Sequence, residues 1–205
     1  PASCRDKQQR YTLYPEGPQC EKEFRRVPQD LLCTATNGEV FLDNFGSFTH
    51  IRQRLLAYYP EDIRLRKIAY ELNQLAQSGQ YNLPRMLQRG DTIAASLALH
   101  QFVHHYMLLV HLFNKSYAPF YKWLYRHSCT LPILGNTVKH GIVELLDAPI
   151  TDTKSHIDRL CSAIIQELQR NGLSTSPIDF LTYQAKEVIQ RIQDPLLRKE
   201  DSWVE

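Results

Sequence analysis

The sequence predicts an all-α protein, a multi-helix bundle around one long buried central helix, preceded by a short strand or linker left from an upstream sheet domain. Three observations carry that prediction. Ile93 to Asn114 runs without Pro, Gly or a charged side chain, and its apolar residues fall on every flank at roughly 100° per residue, the pattern of a helix covered on most sides. From Phe48 onward, apolar positions recur at helical spacing between Gly and Pro punctuation. Before Phe48 the one β-like run is Val40-Phe41-Leu42, which has no nearby partner, and a lone strand is not stable by itself.

The elements follow in order. Residues 1–27 are polar, rich in Gln, Arg and Glu, and interrupted by Pro15 and Pro18, so they read as linker. Pro28 opens a short helix through Leu31 and Leu32, since its missing N–H would be unpaired in a first turn anyway, and Asn37-Gly38 stops it. Phe48, Ile51, Leu55 and Leu56 share a helical face. Pro60 starts the next helix, with Glu61 and Asp62 where the helix dipole favours acids, and Ser78-Gly79 is expected to end it. A short helix from Leu83 to Arg89 leads through Gly90 to Asp91, a good N-cap for the central helix. After it come an aromatic-rich helix from Pro119 to His127 and another from Val138 to Leu146. Thr151-Asp152 caps a helix that buries Ile157, Leu160, Ile164 and Leu168, and a last helix from Asp179 to Gln193 is terminated by Asp194-Pro195.

Charge is more telling in its distribution than in its sum of +2. Between Asp91 and Glu144 there is no carboxylate, while Lys115, Lys122, Arg126, Lys139 and His100, His104, His105, His111, His127 and His140 all fall there. A groove lined by that interval should be electropositive and suit a phosphate-bearing ligand; the alternative is that a buried helix has no room for carboxylates. The five cysteines are scattered, without a CxxC pair, and read as reduced thiols of a cytoplasmic protein. No signal, transit or lipidation motif opens the chain, and a start at Pro1 is expected to be a processing site or a cut inside a longer protein. The central helix has the length of a membrane span, but three histidines on one face and a Gln would be costly in lipid, so no membrane partner is expected.

His100, His104 and His111 lie at spacings that can chelate a metal, yet no carboxylate or cysteine joins them locally, so no metal ligand is assigned. There is no GxSxG elbow and no Gly-rich phosphate loop, and no catalytic residue is assigned either. Two segments combine phosphate-competent and stacking side chains. In Asn82 to Asp91, Arg85 and Arg89 are four apart on one helical face, where two guanidinium forks can hold one anion. In Asn114 to Arg126, Lys122 and Arg126 repeat that spacing beside aromatic rings able to stack on a base. For both, the alternative is a solvated basic face over core aromatics.

Taken together, Tyr59-Pro60-Glu61-Asp62-Ile63, Asn82 with Pro84-Arg85, Arg89-Gly90-Asp91, Asn114 to Trp123 with Arg126, and the C-terminal Asp179-Phe180-Leu181 and Asp194-Pro195-Leu196-Leu197-Arg198 resemble the domain-of-unknown-function family 4037, from about residue 28 to the end. The resemblance implies the helical C-terminal part of a nucleotidyltransferase-like protein, whose upstream sheet lobe holds Mg²⁺ and a nucleoside triphosphate while the helical part receives the acceptor. Residues 1–47 would then be linker and remnant of that upstream domain, and 48–205 the helical domain. Gly46-Ser47 leads into a helix rather than toward a strand bearing Asp-x-Asp, so the catalytic lobe is not in this chain and no activity alone is expected. Cofactors are therefore none in this chain, with Mg²⁺ and the triphosphate brought by the other lobe in cis or in trans. Binding residues implied are Arg85, Arg89, Lys122 and Arg126 as anion contacts, Tyr117 and Trp123 as walls, and Asn82 and Asn114 as orienting or capping groups. Asp91 is either an N-cap or a general base, with Glu71 the other candidate base. The competing expectation is a stand-alone helical module that binds RNA, a nucleotide or a protein partner.

Overall fold

The computed structural model describes residues 10–204. Thr92–Phe113 is one uninterrupted helix of 22 residues, and Asp91 starts it as expected: its side chain accepts from the Ala94 N–H at 2.9 Å, pairing a donor that the first turn leaves open. Leu99, Phe102, Val103, Tyr106, Met107 and the run Leu109 to Phe113 are buried, whereas Ile93 and Leu97 are mostly exposed. The helix is thus enclosed over its C-terminal half and open near its start. It is a helix long and apolar enough to cross a membrane, and here it is the core element of the bundle.

Glu61–Leu75 packs along it and Leu181–Gln190 packs on the other side of Glu61–Leu75, which explains why Ile63 through Ala69 are all buried. Ser78-Gly79 does not end this helix, contrary to the sequence expectation. The chain widens into a π turn, Ala76–Asn82, and continues straight into Leu83–Gln88. A Cβ on Gly79 would sit 2.3 Å from the ring of Phe102, so this glycine is a seat for a buried ring and not a stop. A second π turn, Val138–Ile142, links Gly135–Thr137 to Val143–Asp147 in the segment read as Val138 to Leu146.

The N-terminal region is more structured than its polar composition suggests. Glu21–Arg26 is a helix whose Phe24 joins the core, followed by the fully buried Val27, and Gln29–Thr36 is the expected helix ending at Asn37. Both pack into the same core as the rest. Residues 1–9 of the expected linker lie outside the described residues. Val40-Phe41-Leu42 is not a strand, and among the described residues there is none. With no partner to take its backbone bonds the run lies open, Phe41 being 93% exposed.

Further helices are Ser47–Leu56, Tyr121–Ser128, the 3-10 turn Ile150–Asp152, Lys154–Arg170, Leu181–Gln190 and a short one, Pro195–Lys199, that the sequence reading did not separate. In Lys154–Arg170 the four expected residues Ile157, Leu160, Ile164 and Leu168 all face the core. Two polar clasps hold the C-terminal segment. Asp62 accepts the Gln193 and Asp194 N–H groups at 2.9 and 2.8 Å, and the buried Arg66 guanidinium donates to the Asp201 and Val204 carbonyls at 2.7 and 3.1 Å.

Candidate functional site

The site is built around the connector that leaves the central helix. Asn114 fixes its start: its amide donates to the Val110 and Ile133 carbonyls at 2.7 and 2.9 Å, and its oxygen accepts the Ile133 N–H at 2.9 Å. Three backbone bonds occupy this side chain, so Asn114 is a brace. Lys115 then takes a left-handed turn at φ 48°. Tyr117 is buried, its hydroxyl donating to the Leu55 carbonyl at 2.8 Å and its ring centroid 4.8 Å from Tyr58 and 5.1 Å from Tyr59. Burial pushes the Tyr117 phenol up, which keeps it a neutral hydroxyl. The Ala118 N–H donates to Gln29 Oε1 at 3.3 Å, tying the connector to helix Gln29–Thr36.

Two clefts flank this connector and share Pro119 as a wall. The first has a volume of about 350 Å³. Arg25 and Arg26 approach it from the end of Glu21–Arg26, Glu71 and His104 from the two core helices, and Phe120 and Tyr121 from the connector and the helix after it. Glu71 is 2% exposed, and His105 Nδ1 donates to its Oε2 at 2.7 Å. The other His105 nitrogen lies 3.2 Å from Gln101 Oε1. Burial, helped by the neighbouring His105, holds the His104 pKa down, so its ring meets the cleft uncharged at neutral pH. Arg25 is paired with Glu200, while Arg26 is exposed. The arrangement offers guanidinium donors for an anion, aromatic rings for a flat group, and a buried carboxylate with an imidazole partner that can take up a proton.

The second cleft, about 530 Å³, is lined by Cys33, Thr36, Asn37, Ser116, Tyr117, Pro119, Trp123 and His127. No carboxylate is among them. Burial, with a contribution from Asp30, pushes the Cys33 thiol up, so it stays protonated and weakly nucleophilic.

The nine residues singled out in the sequence do not form one site. Asn82, Arg85, Arg89 and Asp91 gather before the central helix, and Asn114, Tyr117, Lys122, Trp123 and Arg126 follow it. The 22-residue helix separates the two groups in the chain, and none of Asn82, Arg85, Arg89 and Asp91 lines either cleft. Arg85 and Arg89 are exposed, and the Arg85 guanidinium lies over the Tyr81 ring, 4.7 Å from its centroid, while donating to the Tyr81 hydroxyl. Asn82 is half-buried where the π turn meets Leu83–Gln88. At the other end, Tyr117 and Trp123 do line one cleft, and Lys122 and Arg126 are exposed on the same helix as Trp123, with the Lys122 ammonium 5.6 Å from the Trp123 ring centroid. Of the two candidate bases, Asp91 is spent as an N-cap, and Glu71 is the one in a cleft.

Sequence reasoning missed Arg25, Arg26, Asp30 and His105 as neighbours of that carboxylate. Nothing local signalled them, because Glu71 and His105 are 34 residues apart and meet only when the two core helices pack.

The fold defines an all-α domain with polar clefts at the enclosed end of its central helix. Residues 24–124 match the domain of unknown function DUF4037. All residues lining the first cleft lie inside the match, whereas Arg126 and the Asp179 and Asp194 motifs lie beyond it. No curated protein and no solved structure matches the chain.

Proposed function

We propose that this chain is the acceptor-binding helical domain of a cytoplasmic nucleotidyltransferase-like protein, and that the first cleft receives a phosphate-bearing acceptor. The observation that carries the reading is the buried Glu71 carboxylate, bonded to His105 at 2.7 Å, in a cleft with two arginines at its edge. Arg26 and the ring of Tyr121 would hold the ligand, and Glu71 would draw a proton from an acceptor hydroxyl, with His105 fixing the carboxylate. The class of reaction comes from the family resemblance.

The Mg²⁺ that such a reaction needs does not fit the described residues of this chain. No group of three or more His, Cys, Asp or Glu is placed to hold a metal. Glu61 is paired with Arg64 at 2.5 Å, and the two oxygens of Asp62 are occupied by backbone N–H groups. On this reading metal and triphosphate would be brought by a separate lobe, and no step of transfer is assigned to this domain beyond binding and proton acceptance.

A second reading, an RNA-binding module, is favoured by one feature: Tyr121 and Trp123 are 70% and 53% exposed beside the exposed Lys122 and Arg126. Calorimetric titration with ATP, GTP, CTP and UTP, each with and without Mg²⁺, and with a short RNA separates the two. Metal-independent binding of a mononucleotide supports the acceptor cleft, binding of RNA alone supports the module, and binding of none contradicts both.

A further inference from the structure

His111 and His127 form a hydrogen-bonded pair that the first cleft does not use. His111 is fully buried, and its Nδ1 lies 2.8 Å from the Met107 carbonyl, which can only accept. Its Nδ1 therefore carries the proton. Burial, opposed by that backbone bond and reinforced by His127, lowers the His111 pKa to about 4, so at neutral pH the ring is uncharged and its Nε2 is bare. His127 Nδ1 sits 3.0 Å from that bare nitrogen, with the two ring planes inclined by only 17°. His127 must donate there. In the neutral ring this leaves Nε2 as the unprotonated nitrogen, on a side chain that lines the second cleft.

The other polar groups of that cleft are committed or uncharged. The Tyr117 and Thr36 hydroxyls donate to the Leu55 and Leu32 carbonyls, and Asn37 Oδ1 accepts the Gly38 N–H at 2.8 Å, leaving its amide NH₂ as a donor. Trp123 supplies a large half-exposed ring. The cleft thus combines an aromatic wall, one directed acceptor nitrogen, one amide donor, the Ser116 hydroxyl and, among the described residues, no carboxylate.

From this we infer that the second cleft is a binding site for a planar heteroaromatic ligand bearing a ring N–H, which donates to His127 Nε2 while its face lies against Trp123. His111 is the positioning residue, since it holds His127 in the tautomer that presents an acceptor. The inference does not depend on the reading of the first cleft.

Two measurements test it on the whole chain. Two-bond nitrogen–proton NMR of the free protein should show His127 protonated on Nδ1 and bare on Nε2; the opposite tautomer overturns the proposal. Benzimidazole and 1-methylbenzimidazole share the ring and its lone pair, but the second has no N–H. In a Trp203→Phe background, which leaves Trp123 as the sole tryptophan, benzimidazole should change the fluorescence and bind at least tenfold more tightly than its methyl analogue. His127→Ala should erase that preference and His111→Phe should weaken it, with folding checked by circular dichroism. Equal binding of the two compounds, no binding of either, or a preference that survives His127→Ala overturns the assignment.

Discussion

His105 Nδ1 donates to Glu71 Oε2 at 2.7 Å, joining the two core helices through a carboxylate that is 2% exposed and still lines a cleft. A buried carboxylate is costly unless it is bonded, and its retention beside an open cleft is what a proton acceptor requires. Glu71→Gln keeps the shape and an oxygen for His105 but loses the charge. The variant should stay folded by circular dichroism, while transfer in the presence of the catalytic lobe proposed above should fall by about two orders of magnitude. Unchanged turnover would reduce Glu71 to a structural partner of His105.

Asp91 should behave as the opposite case. Its side chain caps the central helix through the Ala94 N–H, so Asp91→Ala should cost about 1 kcal/mol in urea denaturation and leave every binding constant unchanged. Loss of binding at constant stability would restore Asp91 as a functional residue.

Asn114→Ala removes three bonds to Val110 and Ile133 at once. Each such bond contributes about 1 kcal/mol, and the stranded backbone groups add to the loss, so a decrease of about 3 kcal/mol is expected from the denaturation midpoint. A loss below about 1 kcal/mol would mean that water replaces the amide.

Gly79→Ala would place a methyl group 2.3 Å from the buried ring of Phe102. Displacing that ring should cost about 1–3 kcal/mol. The double variant Gly79→Ala with Phe102→Leu should recover part of it, and additive losses would locate the strain elsewhere.

His111 makes stability pH-dependent in a defined direction. Burial lowers its folded pKa from an ordinary 6.5 to about 4, so between these values the unfolded chain takes up a proton that the folded chain refuses. This contribution is complete above about pH 6.5 and is lost as pH falls toward about 4, with a slope reaching about 1.4 kcal/mol per pH unit. Urea denaturation at steps between those pH values should show it, and His111→Phe should flatten it. An equal slope in wild type and variant would mean that other groups govern the acid limb.

Much of the fold was legible because it depended on local pattern. The Lys154–Arg170 helix shows its apolar face as Ile157, Leu160, Ile164 and Leu168, and Asp91 marks the start of the central helix by residue type alone. The π turn at Ala76–Asn82 was not legible, because the role of Gly79 is set by Phe102 on another helix. Val40-Phe41-Leu42 has strand-forming residues, yet no neighbour supplies a ladder. Tyr117 and Trp123, singled out together in the sequence, share a cleft, and the 22-residue helix that parts them from Arg85 and Arg89 could also be read there, but not which residues of other helices complete the cleft. Glu71 gained its meaning from His105, which no spacing rule connects to it.

The central claim is that a phosphate-bearing ligand sits in the first cleft, at the enclosed end of the central helix. The most direct test is calorimetric titration with a nucleoside triphosphate of three forms of the chain: unmodified, Arg26→Glu with Tyr121→Ala, and Arg85→Glu with Arg89→Glu. The cleft variant should lose at least tenfold in affinity, and the other pair, which precedes the start of the central helix and does not line the cleft, should change it less than twofold. Loss of binding in the Arg85 and Arg89 variant with binding intact in the cleft variant would contradict the account.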